Sequence, residues 1–154
     1  MKKVIPFTFL FAFLTGCVST ANGPLFQKHD VLANNKAVAY FYRPSPNDGV
    51  TTCWKIKIND ISKGCLNPSG FIKVELTPGD YNIQAKAGSV DFKFLESIQG
   101  GQAYYYEIDF YPPNAELSDA KDQLSVHFIF NGTHAILPID ELKALPKLVM
   151  LKES

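Results

Sequence analysis

The residues of this chain that could do chemistry are three cysteines, three histidines and a scatter of carboxylates in 154 residues. Cys17 follows Leu14-Thr15-Gly16, while Cys53 and Cys65 fall in a region of alternating apolar and polar residues. His29 stands alone; His127 and His134 flank Asn131-Gly132, a dipeptide suited to a two-residue hairpin turn. With that turn, Thr133 pairs with Phe130, His134 lies opposite Ile129, and His127 becomes its diagonal neighbour on one strand face. Two imidazoles fall short of a zinc ligand set, and no Cys, Asp or Glu is spaced to complete one, so they are expected as surface histidines. Glu107 and Asp109 lie two apart on one strand face, where a solvated surface explains them better than paired acid–base work. Asn131-Gly132-Thr133 fits a glycosylation sequon, but the hairpin accounts for it. The sequence has no Gly-x-Ser-x-Gly elbow, phosphate loop, HExxH or dinucleotide fingerprint. It therefore predicts no catalytic residue, no metal and no cofactor.

Cys17 is different, because of what precedes it. Lys2 and Lys3 form a short basic region, and Val4 to Leu14 an apolar stretch of signal-peptide length, too short to span a bilayer. Leu14-Thr15-Gly16-Cys17 resembles the bacterial lipobox. A transferase attaches diacylglycerol to such a thiol as a thioether, and a peptidase then cuts just before the cysteine. Small residues at Thr15 and Gly16 let an extended backbone enter the protease groove, and Leu14 fills an apolar pocket. The resemblance implies acyl chains on Cys17, two on the thioether and often a third on the new N-terminus. One chain binds a membrane only marginally, whereas two or three hold stably. Val18, where an Asp would favour the inner membrane in enteric-type bacteria, points to the outer membrane, with the domain facing the periplasm.

Removing residues 1–16 leaves about 140 residues, a single domain by length. The whole chain balances 15 basic against 15 acidic residues, and loss of Lys2 and Lys3 leaves it slightly acidic. With no basic excess and Arg43 as the one arginine, nucleic acid is a poor partner. Once Cys17 takes lipid, Cys53 and Cys65 remain in an oxidising compartment, where a disulfide is favoured over separate thiols or half of a metal site. An ideal turn at Asn59-Asp60 would set Cys53 opposite Leu66, one residue out. The disulfide thus predicts a longer loop or a bulge, with Gly64 the natural place.

The elements that must position these residues read as strand after strand. Residues 17–36 are small and polar and suggest a tether; the domain follows over 37–154. Ala37 to Arg43 is apolar and aromatic; Trp54, Ile56 and Ile58 alternate with lysines; Ile72, Val74 and Leu76 alternate with Lys73 and Glu75. Thr77-Pro78-Gly79-Asp80 has type II turn chemistry. Tyr81 to Ala87, Val90 to Phe94, Tyr104 to Phe110 and Leu124 to Phe130 continue the period of two. Ile139 to Leu145 suggests a short helix stopping before Pro146, with Ile139, Leu142 and Leu145 on its apolar face. The expected fold is all-β, an antiparallel β-sandwich of transthyretin or immunoglobulin type with a short C-terminal helix.

Tyr40-Phe41-Tyr42 and Tyr104-Tyr105-Tyr106 place rings on both faces of their strands. The outer rings, Tyr105 and Tyr111 among them, suggest either a platform for sugars or a partner protein, or simple packing against the C-terminal helix and tail. Tyr40-Phe41-Tyr42-Arg43-Pro44, then Ile56-Lys57-Ile58-Asn59-Asp60, then Leu76-Thr77-Pro78-Gly79-Asp80-Tyr81 and the later Tyr-Tyr strand are similar to a family of small bacterial envelope lipoproteins carrying a domain of unknown function. The resemblance covers about half the chain, Ala37 to Phe110. It implies a transthyretin- or PEGA-like sandwich without established enzymatic activity and assigns no functional residue, although Arg43 and Pro78-Gly79 match its pattern. Arg43, Tyr105 and Tyr111 are thus candidate binding-surface residues. The functional expectation is a non-enzymatic envelope lipoprotein acting through a protein partner, with glycan binding as the alternative.

Overall fold

The computed structural model describes residues 20–29, 31–46, 52–112, 125–129 (backbone only) and 132–154. Cys17, the leader and Asn131 lie outside the described residues. The chain folds as an all-β sandwich with one short helix near its C-terminus. Its strands are β1 (Ala37–Arg43), β2 (Trp54–Ile58), β3 (Ile61–Leu66), β4 (Gly70–Leu76), β5 (Gly79–Ala87), β6 (Val90–Ile98), β7 (Ala103–Tyr111), β8 (Ser125–Ile129), β9 (Gly132–Pro138) and β10 (Lys152–Glu153), with helix α1 (Glu141–Leu148) between the last two. One sheet has the order β10-β4-β1-β7-β9-β8 and the other β3-β2-β5-β6.

The alternation read from the sequence places the side chains. Ala39 and Phe41 on β1, Trp54, Ile56 and Ile58 on β2, Ile83 and Ala85 on β5, and Tyr106 and Ile108 on β7 meet in one core between the sheets. The stacked pairs Phe41–Tyr106 and Trp54–Phe92, with ring centroids 5.0 and 5.3 Å apart, fill its middle. All seven residues of β1 are buried, so it cannot be a strand with one wet face. Val38, Tyr40 and Tyr42 on its other face belong to a second core, capped by Phe26, Ala144, Leu148 and Leu151. The molecule is therefore layered: a four-stranded sheet, a six-stranded sheet, and a cover made of the N-terminal segment, α1 and the C-terminal residues.

Several expectations need correction. The larger sheet is mixed: β1 runs antiparallel to β4 but parallel to β7, and β10 runs parallel to β4. Pro78-Gly79, expected as a type II turn, carries the chain from β4 in one sheet to β5 in the other, with Gly79 at φ 150°. Within the expected tether, residues 23–26 join the fold: the Gly23 N–H donates to the Glu153 carbonyl at 2.9 Å and the Phe26 N–H to that of Leu151 at 3.0 Å. Phe26 then packs edge-on against Tyr40 and Phe71, at 5.2 and 5.5 Å. The helix starts two residues later than expected and runs through Pro146. It buries Ala144 and Leu148; of the expected face Ile139 is buried and Leu145 packs partly against the second core, but Leu142 is 87% exposed. Eight residues cannot offer two apolar faces to one sheet, and the small Ala144 allows the closer approach.

The hairpin at the cysteines has the expected irregularity. Asn59 and Asp60 both take positive φ, 48° and 63°, as a two-residue primed turn requires. Ile56 then pairs with Gly64 but Lys57 with Ser62, so Lys63 is the extra residue of a bulge. Gly64 supports it with φ of 141°. The bulge moves Cys65 opposite Lys55, onto the face that Cys53 shares, and a Cys53–Cys65 disulfide closes with Cα atoms 5.4 Å apart.

Candidate functional site

The sequence-derived candidates do not form a surface. Arg43 is fully buried and donates from Nη1 to the Thr52 carbonyl at 3.1 Å. Tyr105 is 4% exposed, stacked on Tyr40 at 5.5 Å under the α1 cover. Tyr111 is half-buried and donates its hydroxyl hydrogen to Glu107 at 3.0 Å. The platform expectation is thus replaced by the packing one, because the N-terminal segment and α1 occupy the outer face of the larger sheet.

Glu107 is likewise not on a solvated face. It is 2% exposed, and Lys147 of α1 reaches both of its oxygens, at 2.9 and 2.7 Å. Burial and the Glu107 carboxylate push the Tyr42 hydroxyl well above the usual phenol range. Asp109, its neighbour two residues on, accepts from the Ser45 hydroxyl at 2.9 Å. The Lys147–Glu107 pair ties α1 to the sheet.

The histidine geometry also shifts. Strands β8 and β9 pair His127 directly with His134, and Thr133 with Phe128 rather than Phe130. The register is two residues away from that of an Asn131-Gly132 turn. His134 is 3% exposed, with Trp54 at 5.8 Å and Phe110 at 5.2 Å, so it is an interior residue and not a surface one. Among the described residues no three His, Cys, Asp or Glu side chains gather as a metal site would need.

What the sequence reading missed is a cleft of about 480 Å³ where the end of β6, the β6–β7 loop, the start of β7 and the entry to α1 meet. Other clefts, beside His29 and beside Tyr81, have volumes of about 360 and 320 Å³. The β6–β7 loop is drawn in tightly: Gly101 N–H donates to the Lys36 carbonyl at 2.7 Å, and a side chain on Gly100 would run into the Asn34 carbonyl. The Ile139 N–H donates to the Tyr105 carbonyl at 2.8 Å and fixes where α1 begins. The walls carry Tyr104 and Tyr106, the amides of Gln99 and Gln102, and the carboxylates of Glu96, Asp140 and Glu141. Tyr104 is held from behind, its hydroxyl accepting from the Gln99 N–H at 2.7 Å.

The two glutamates of the cleft are shifted in opposite directions. Burial raises the Glu96 carboxyl above its ordinary range, partly offset by a hydrogen bond from Tyr106. A hydrogen bond from Lys28 lowers Glu141, against a smaller effect of burial. Among the described residues no lysine, arginine or histidine lines the cleft, so its chemistry suits neutral, hydroxyl-rich or cationic groups and opposes phosphates. A half-buried tyrosine ring with amides and carboxylates around it offers an apolar face and hydrogen-bond acceptors at close range. One weak signal was present in the sequence: Tyr104-Tyr105-Tyr106 two residues beyond Gly100-Gly101, but no local pattern brings Asp140 and Glu141 beside them. Compared with known protein families, curated proteins and solved structures, the chain has no match.

Proposed function

We propose that this chain is a bacterial envelope lipoprotein, lipidated on Cys17, whose sandwich serves as a protein-interaction or structural module without enzymatic activity of its own. The observation that carries the reading is the order Lys2-Lys3, apolar stretch, Leu14-Thr15-Gly16-Cys17 immediately ahead of a folded domain. Thr20 is the first described residue and Gly23 already pairs with Glu153, so the tether is a few residues long. Val18 favours the outer membrane, with the domain on the periplasmic side. The disulfide between Cys53 and Cys65 suits an oxidising compartment. No described helix is long and apolar enough to cross a membrane, which leaves the lipid as the anchor in this reading. The similarity of Tyr40 to Pro44 and of the Pro78-Gly79 segment to envelope lipoproteins agrees with it. Cross-linking in intact cells is the test: capture of one envelope protein by the native chain supports the module, and absence of any specific partner under several growth conditions overturns it.

A second reading is favoured by the cleft. Tyr104, Gln99, Gln102 and Glu96 are the residue types that hold a sugar ring, by stacking and by hydrogen bonds to hydroxyls. Retention of the delipidated domain on purified sacculi, lost in Tyr104→Ala, supports a glycan-binding module; no retention of the native domain removes it.

A further inference from the structure

We infer that the outer face of α1, with Leu25 and Met150 beside it, lies on the bilayer surface to which the N-terminal lipid holds the chain. This rests on the reading of Cys17 as the lipid anchor. Leu142, Leu145, Pro146 and Val149 follow the i, i+3, i+4, i+7 spacing of one helix face, and Val149 keeps helical dihedrals at the C-cap. Leu142 and Val149 point away from Ala144 and Leu148, which pack on the sheet, while Leu145 at the edge of the stripe is half-buried against the same core. The rest is open: Leu142 is 87% exposed, Val149 55% and Met150 79%. Leu25, 57% exposed, bridges Lys152 and so extends the apolar surface next to Met150. Isolated exposed apolar residues are ordinary, but a stripe at helical spacing continued by a neighbouring strand calls for an occupant.

The position of the anchor selects the occupant. Cys17 lies six residues before Gly23, whose N–H donates to the Glu153 carbonyl directly beyond this helix. Six residues span about 20 Å even when fully extended. A thioether-linked lipid therefore keeps the Gly23–Glu153 pairing, on the side of the molecule covered by α1, within about that distance of the headgroups. The far side of the sandwich does not compete: the outer face of the smaller sheet exposes Lys55, Lys86, Asp91 and Lys93. Lys143 flanks the apolar stripe, where an ammonium can stay at headgroup level while the leucine beside it dips below. An apolar helix face bordered by lysine is the usual design of an interfacial helix.

The test uses the full lipoprotein purified from membranes and reconstituted into phosphatidylethanolamine–phosphatidylglycerol vesicles containing lipids brominated on their acyl chains. Trp54 is fully buried and gives a constant background. Leu142→Trp and Val149→Trp place a reporter on the stripe, and Leu95→Trp places one on exposed β6, where Leu95 is 80% exposed. All three sites face outward, so the fold tolerates the ring. If α1 lies on the membrane, emission from the residue 142 and 149 reporters is blue-shifted and quenched at least twofold more than that from residue 95. Vesicle flotation with equal quenching at all three, or none, overturns the docking while leaving the anchor intact, as would follow if a protein or a second copy covered the stripe. Failure of the native chain to float removes the anchor, and the inference with it.

Discussion

Glu96 and Glu141 face one cleft, yet their surroundings push them apart, and the signs have measurable consequences. A carboxyl raised by burial is more easily ionised in the unfolded chain. Glu96 therefore costs no stability well below its ordinary value of 4.5, and its cost appears as pH rises through that value to the raised one. Glu96→Gln is expected to raise the melting temperature at pH 7 and to leave it unchanged near pH 3, as thermal unfolding at the two pH values would show. Lys147 poses the opposite case. Removing its ammonium strands a carboxylate that is 2% exposed and leaves it the Tyr111 hydroxyl, a neutral donor, in place of a cation. Lys147→Ala should cost about 1–3 kcal/mol in urea unfolding, and combining it with Glu107→Gln should recover part of that loss. Neither role was legible beforehand. Glu107 looked like a solvated residue because its partner lies far along the chain on α1, and pairing across layers leaves no trace in local alternation.

At the scale of the element, the β2–β3 hairpin was the most readable part of the chain. Trp54, Ile56 and Ile58 fix its face, Asn59-Asp60 its turn, and the two cysteines demand a change of register that Gly64 permits. Cys53→Ser with Cys65→Ser should lower stability by about 3 kcal/mol, the chain-entropy value for a loop of this size, with the far-UV spectrum retained. The β8–β9 hairpin was read less well. Asn131-Gly132 favours one register from turn chemistry alone, but His134 is drawn inward against Trp54 and Phe110, and burial sets the pairing. Helix α1 carries the same lesson. Its sequence offers Leu142 and Leu145 on one side and Ala144 and Leu148 on the other, and periodicity cannot choose between faces when both are apolar.

For the molecule as a whole, strand alternation sufficed for a two-sheet sandwich, while the order of strands was not available from it. The parallel pairing of β1 with β7 brings together segments separated by five intervening strands, and the same residues would alternate identically in an antiparallel neighbour. The third layer was hidden for a related reason: Phe26 follows Leu25 in a segment with no sustained period, so nothing local marks which of the two is a core residue. Its rings-on-rings contact with Tyr40 and Phe71 makes the N-terminal segment part of the fold. Phe26→Ala is expected to cost about 3 kcal/mol, measured by thermal or urea unfolding of the delipidated domain. That docking also limits how far the sandwich can stand from a membrane that holds Cys17. Anchoring is the claim on which the placement of the cleft and of α1 depends, and the intact mass of the protein extracted from bacterial membranes tests it most directly. The expected result is a chain beginning at Cys17 and heavier than its amino-acid sequence by a diacylglyceryl group, with or without a further acyl chain; a chain retaining residues 1–16, or an unmodified Cys17 thiol, would contradict it.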